Sequence, residues 1–254
     1  MKKFGFTLAE VLITVGIIGV VSALTLPTLV KNYRNEVLAK SLIAAISDFE
    51  VAMQMLIMKD GVNNLWETEA WDKIPGDGLN ATSTDNVIID FEENIGRIIR
   101  LEDSGASSNF YTSIRNLDGA NLVVENIVKN TRAFRSKNNV IYHISISNAD
   151  RTYVPVPSED RNKTSLYQLA AFVMIDTNSA EPPNMLGRDI FEYYLGIDGK
   201  LYPRQSREAC LYNSSDIGPG DPISTYENPE PRCKANKGEY CGAYLQENGY
   251  KIDY

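Results

Sequence analysis

The chain has 254 residues, of which 43% are hydrophobic and 23% charged, with a formal net charge of -8. That length accommodates one sizeable globular domain plus an appendage. The acidic balance excludes nucleic acid as the main partner, since phosphate binding needs clustered Lys and Arg; here it keeps a polar head soluble.

The N-terminus is a short basic leader, MKKFG, followed by an apolar run. Leu8 to Val30 is 23 residues long, and its one formal charge is Glu10. At about 1.5 Å per residue such a helix crosses the roughly 30 Å hydrocarbon core of a bilayer. Lys2 and Lys3 precede it, which leaves the N-terminus in the cytoplasm and sends the head outward. Three readings compete. One is a plain signal anchor. The second is a secretory signal cut at Val21-Ser22-Ala23, releasing a soluble protein. In the third, the leader is clipped between Gly5 and Phe6 and the apolar run is kept. Glu10 discriminates between them. A carboxylate at the centre of a membrane helix costs about 2.5–3.5 kcal/mol, and less near an end. An anchor or a secretory signal gains nothing from it. In an assembly of staggered helices, however, Glu10 can face the new Phe6 ammonium of a neighbour. Opposite charges attract strongly in low dielectric, and leaving one unpaired is costly, so the pair sets register.

Gly5-Phe6-Thr7-Leu8-Ala9-Glu10, running into an unbroken apolar helix, resembles the N-terminal methylation motif of type IV pilins and type II secretion pseudopilins. The resemblance implies cleavage after Gly5 and N-methylation of Phe6 by a prepilin peptidase, with Glu10 acting in assembly. Pro27 matches a helix proline of that family. Proline removes a backbone donor and crowds the preceding turn, which permits a kink or local melting. The implied partners are the peptidase/methylase, copies of this chain or other pilin-like subunits, an inner-membrane assembly platform and membrane lipid. The implied location is the cytoplasmic membrane, single-pass with the head outside, and then an extracytoplasmic filament. The competing reading is an exported, signal-anchored or secreted binding protein or hydrolase.

Past Pro27 the pattern changes to an amphipathic one. Leu38, Leu42, Ala45, Phe49, Ala52 and Leu56 step by four and three, which is one helical stripe. One long helix is predicted from about Thr7 to Met58, ended by Asp60-Gly61. Met53, Met55 and Met58 are expected to fill gaps beneath the head. The divisions are a leader at 1–5, a transmembrane and assembly half at 6–30, an amphipathic half at 31–58 and a head at 59–254. Asn86 to Leu101 reads as a helix capped by Thr84 or Asp85, and Leu122 to Phe134 as another short one. Val140 to Ser147, Leu169 to Ile175 and Ile190 to Ile197 read as strands. Asp198-Gly199 joins the last of these to Lys200-Leu201-Tyr202 as a two-residue hairpin turn, and Pro203 closes it. The predicted class is α+β and pilin-like, with a long helix packed on a head that holds an antiparallel sheet.

Within the head, Ile175 to Phe191 (IDTNSAEPPNMLGRDIF) is the most distinctive stretch. It resembles a loop of pseudopilin-like proteins through Asp176, Asn178, Pro183, Asn184, Gly187, Asp189 and Phe191, with Ser179 where glycine is usual. Asp and Asn stiffen a tight turn by bonding nearby backbone, and the same oxygens suit Ca²⁺; turn architecture is the expectation. The three cysteines, Cys210, Cys233 and Cys241, favour a disulfide over a metal site. They allow three single bridges, among which Cys233–Cys241 is preferred. The tail from Ser206 is proline- and glycine-rich and reads as irregular; Tyr244, Tyr250 and Tyr254 are expected to pack back on the head. His143 is the only histidine and has no evident partner motif. No GxSxG elbow, HExxH or phosphate loop is present, so no enzyme, cofactor or metal is expected.

Overall fold

A computed structural model describes residues 7–72, 101–106, 110–124, 132–145, 169–182, 184–204, 206 and 229–254. Helix α1 spans Leu8–Asp60, 53 residues, and continues through Pro27 without interruption. It ends two residues beyond the predicted Met58 because Gly61 is the residue that takes the left-handed conformation, with φ 67°, and closes the last carbonyls. From Leu8 to Arg34 no side chain is buried. Burial begins at Asn35 and follows Ala39, Leu42, Ala45, Phe49, Ala52, Met53, Leu56 and Ile57. This is the predicted stripe, with Leu38 only partly covered. Of the three methionines, Met53 alone fills the core. Met55 and Met58 are 50% and 76% exposed, because at 100° per residue they project from the side of the helix away from the head.

The head is built on a six-stranded antiparallel sheet of β1 (Leu101–Ala106), β4 (Arg132–Ser136), β5 (Ile141–Ser145), β6 (Leu169–Asp176), β7 (Ile190–Gly196) and β8 (Leu201–Pro203), in that spatial order. A small pair, β2 (Ile114–Arg115) and β3 (Asn121–Leu122), stands apart. The predicted strands are present. The helix expected over Leu122 to Phe134 is corrected at its ends: Leu122 lies in β3, and Arg132 to Phe134 lie in β4, paired to β1 on one side and β5 on the other; Val124 is helical, and 125–131 fall outside the described residues. Sheet pairing on both sides outweighs local helical preference there. The helix expected over Asn86 to Leu101 falls outside the described residues except for Leu101, which opens β1.

Strands β5, β6 and β7 are buried on both faces. Tyr142 and Ile144 of β5, Val173 and Ile175 of β6, and Phe191 and Tyr193 of β7 join the core beneath α1. Met174 and Ile190 face the other way, against Tyr111, Ile114 and Leu186. Polar pins fix α1 on the first face. The Tyr142 hydroxyl donates to the Ala45 carbonyl at 3.1 Å, and Glu50 Oε1 accepts the Leu201 N–H at 2.8 Å. The Gln54 side-chain amide donates to the Asp198 carbonyl at the tip of the β7–β8 hairpin. That hairpin has a three-residue loop, Ile197 to Gly199, not the two-residue turn expected. Gly196 N–H reaches the Lys200 carbonyl and Gly199 N–H the Gly196 carbonyl, both at 2.9 Å. Only Gly199, at φ 78°, is left-handed, as the third position of such a loop requires.

Of the tail expected to be irregular, 207–228 lie outside the described residues, while the part beyond is largely helical: Pro229–Arg232, a π-helical turn over Cys233–Lys237, and Cys241–Glu247. Tyr244 is buried and Tyr250 and Tyr254 partly so, all against the α1 core. The Phe49 ring, fully buried, lies 5.3 Å from that of Tyr142. Phe49→Ala should therefore cost about 3–5 kcal/mol, read as a lower urea midpoint for the full chain in detergent micelles.

Candidate functional site

Among the described residues two regions concentrate polar chemistry, and the first is the start of α1. Thr7 is its N-cap. The Thr7 N–H and hydroxyl each donate to Glu10 Oε2 at 2.8 Å, and the Glu10 N–H donates back to Thr7 Oγ1 at 3.3 Å. This is a reciprocal capping box, which satisfies helix donors that otherwise lack partners and sets a negative charge at the positive end of the helix dipole. Thr-x-x-Glu before an apolar run is the sequence signature of such a box, and it gives Thr7 a capping role beyond its place in the motif. Glu10 thus has a role within the single chain, contrary to the expectation that a lone anchor gains nothing from it. A cap is typically worth about 0.5–2 kcal/mol, below the penalty for a carboxylate at mid-membrane depth. Gly5 and Phe6 lie outside the described residues.

The second region is the loop from Asp176 to Asp189, between β6 and β7. Asp176 sits at the end of β6, fully buried. Its Oδ1 accepts the Asn178 N–H at 2.9 Å; its Oδ2 accepts the Ala180 N–H at 2.9 Å and the Tyr111 hydroxyl at 2.7 Å. The Tyr111 hydroxyl also lies 2.7 Å from His143 Nε2. Asp189 Oδ1 accepts the Met185 N–H at 2.6 Å, and its Oδ2 the Asn178 side-chain amide at 3.0 Å. The Asn184 side-chain amide donates to the Ala180 carbonyl at 3.0 Å. The two aspartates and two asparagines thus bind the loop's own backbone and one another. Among the described residues, no group of three or more His, Cys, Asp or Glu is gathered to hold a metal. Pro183 lies outside the described residues.

Burial shapes the ionisation of this cluster. It pushes Asp176 up, and it pushes Asp189 up to about 7, with the nearby Asp176 charge adding to the rise. Burial holds His143 down at about 3, so its ring is neutral at physiological pH. The histidine faces a tyrosine 32 positions earlier in the chain, a partner no local motif announces. Nothing in the arrangement offers an exposed nucleophile or base: the cluster rivets the β6–β7 loop and the Tyr111 segment to the far face of the sheet. Gly187 has φ 83°, and a Cβ there would lie 2.6 Å from Cys241 Sγ. Ser179 is also left-handed, at φ 63°, which explains why glycine suits that position.

Cys233 and Cys241 are joined by a disulfide across a sequence separation of eight, with both residues buried. Cys210 lies outside the described residues.

The comparisons fall on the first region. Residues 1–26 match the family model of the prokaryotic N-terminal methylation motif. The chain therefore carries the signature of type IV pilins and pseudopilins at its N-terminus, on a helix whose apolar half is long enough to cross a membrane. Such a segment fits a membrane-anchored protein. Neither curated proteins nor solved structures gave a match.

Two outcomes follow from the loop. Ser179→Gly should stabilise the protein by about 1 kcal/mol, since a non-glycine residue in the left-handed region is strained by roughly that much; thermal melts of the full chain in micelles read it out. The Asp189 carboxyl has a folded value above its unfolded one, so its contribution is fully present below about pH 4 and is lost as pH rises towards 7. Asp189→Asn should therefore gain stability relative to wild type across that window, with a constant difference above it. Urea titrations at stepped pH test this; a pH-independent difference would show that Asp189 is not held in its neutral form.

Proposed function

We propose that this chain is a structural, non-enzymatic subunit of a type IV pilus-like or type II secretion pseudopilus filament. In this reading prepilin peptidase cuts between Gly5 and Phe6 and methylates Phe6. The head is delivered to the outer side of the cytoplasmic membrane, and the apolar half of α1 moves from lipid into a helical assembly with copies of itself or other pilin-like subunits, on an inner-membrane platform.

The observation that carries the reading is the state of α1. Its first 27 residues, Leu8 to Arg34, contain no buried side chain, and the methylation motif lies at their start. A soluble binding protein or hydrolase has no use for a bare helix of that length. The second half adds support. Tyr33, Val37, Val51, Met55 and Met58 are all exposed. At 100° per residue they fall on one line, directly opposite the stripe that packs on the sheet. The apolar surface thus continues past the membrane half along the side away from the head, where a neighbouring helix would lie.

Glu10 supplies the test, because two variants separate its two roles. Glu10→Gln keeps an acceptor for the capping box but abolishes the charge. Glu10→Ala removes both. Under the charge-pairing reading, both variants are clipped after Gly5, and both lose most of their sheared-filament yield relative to wild type. Wild-type yield from Glu10→Gln would leave capping as the only role of Glu10 and would remove the intersubunit pair.

A further inference from the structure

The start of the buried part of α1 meets the segment around Ile252. Asn35 is the first buried residue along α1, and its side-chain amide donates to the Ile252 carbonyl at 3.2 Å. The segment at Ile252 thus covers the first buried position of the long helix. Three grips hold them there. The Tyr244 hydroxyl donates to Asp253 Oδ1 at 3.0 Å, the Lys234 ammonium lies 3.4 Å from Asp253 Oδ2, and the Tyr254 hydroxyl donates to the Gly187 carbonyl at 2.5 Å. Lys234 also sits 4.9 Å above the Tyr244 ring.

The placement of the grips carries the argument. Lys234 follows Cys233 directly and Tyr244 lies one helical turn past Cys241, so the disulfide ties together the two segments that clasp Asp253. Its surroundings are closely fitted. Gly238 is left-handed at φ 77°, and a Cβ there would fall 1.9 Å from the Leu186 carbonyl oxygen. Tyr240, inside the ring closed by the disulfide, is held at φ 61°, a conformation that persists for such a residue only where the surroundings impose it.

We propose that the Cys233–Cys241 disulfide is a redox-set clasp for a C-terminal strap. Oxidised, it holds Lys234 and Tyr244 together around Asp253 and seats residues 252–254 over Asn35. Reduced, the strap lifts and α1 loses its lowest attachment to the head. Closing the clasp takes two protons and two electrons from the cysteine thiols and passes them to an exogenous disulfide, which leaves as two thiols. The strap is thereby fastened over Asn35 only after the head has met an oxidising thiol–disulfide environment. This inference rests on the described residues and not on the filament reading.

The test is amide hydrogen exchange followed by mass spectrometry on the full chain in detergent micelles. Two variants are compared with oxidised wild type: Cys233→Ser with Cys241→Ser, and Lys234→Ala with Tyr244→Phe, which leaves the disulfide intact. In both, exchange should rise about tenfold or more in peptides covering residues 35–42 and 248–254, the mark of local opening, while peptides from β6 and β7 stay at wild-type rates. Wild-type exchange at 35–42 in either variant would overturn the clasp. So would an equal rise in β6 and β7, since the disulfide would then be stabilising the head as a whole.

Discussion

The structure depends on one docking event, the seating of residues 35–57 of α1 on the sheet. Leu42, Phe49 and Leu56 are at most 1% exposed there, and each such side chain gains roughly 1.5–3 kcal/mol by leaving water. That burial fixes everything else. The polar pins from Tyr142, Glu50 and Gln54 set the rotation of α1 about its own axis. The rotation in turn decides which residues stay outside. The helix cannot bury its other side, and the apolar line from Tyr33 to Met58 is the direct result. The first half of α1 has no sheet beneath it at all.

The far face of the sheet is organised by different physics. Tyr111, His143, Asp176 and Asp189 lie beside a small apolar cluster and are almost wholly removed from water. An unsatisfied buried polar group would be costly, so the loop is wound until its own N–H groups meet the carboxylates. The strain at Ser179 and the close approach of Gly187 to Cys241 follow from that winding. Through Gly187 the loop also touches the disulfide segment and Tyr254. The distinctive loop, the cysteines and the C-terminal tyrosines are thus parts of one construction, although they occupy separate stretches of sequence.

Legibility followed the range of the interactions. The long helix, its buried stripe and the strands β5 to β8 rest on periodicity within a few residues, and the sequence displays periodicity directly. The N-terminal motif is equally local. The start of β4, Arg132 to Phe134, reads as the end of a helix because RAFRS has no clean alternation; its Ala133 and Phe134 are both buried. The partner of His143 lies far back at Tyr111, and no local pattern links them. Met55 and Met58 were misplaced for a subtler reason: the sequence shows a stripe, but a second apolar line on the opposite side of the same helix looks like scatter until the first is anchored. The hairpin at Asp198-Gly199 was found, but its loop length was set by the pairing of Gly196 with Lys200, which a dipeptide cannot reveal.

The proposed function makes one central claim: this helix is trimmed at its cytoplasmic end and then handed to neighbours. Intact-mass and peptide mass spectrometry of the protein recovered from its native membrane examines that claim most directly. The account predicts an N-terminal peptide beginning at Phe6 and carrying one added methyl group. A protein that keeps Met1 to Gly5, or one that begins at Leu24, would contradict it.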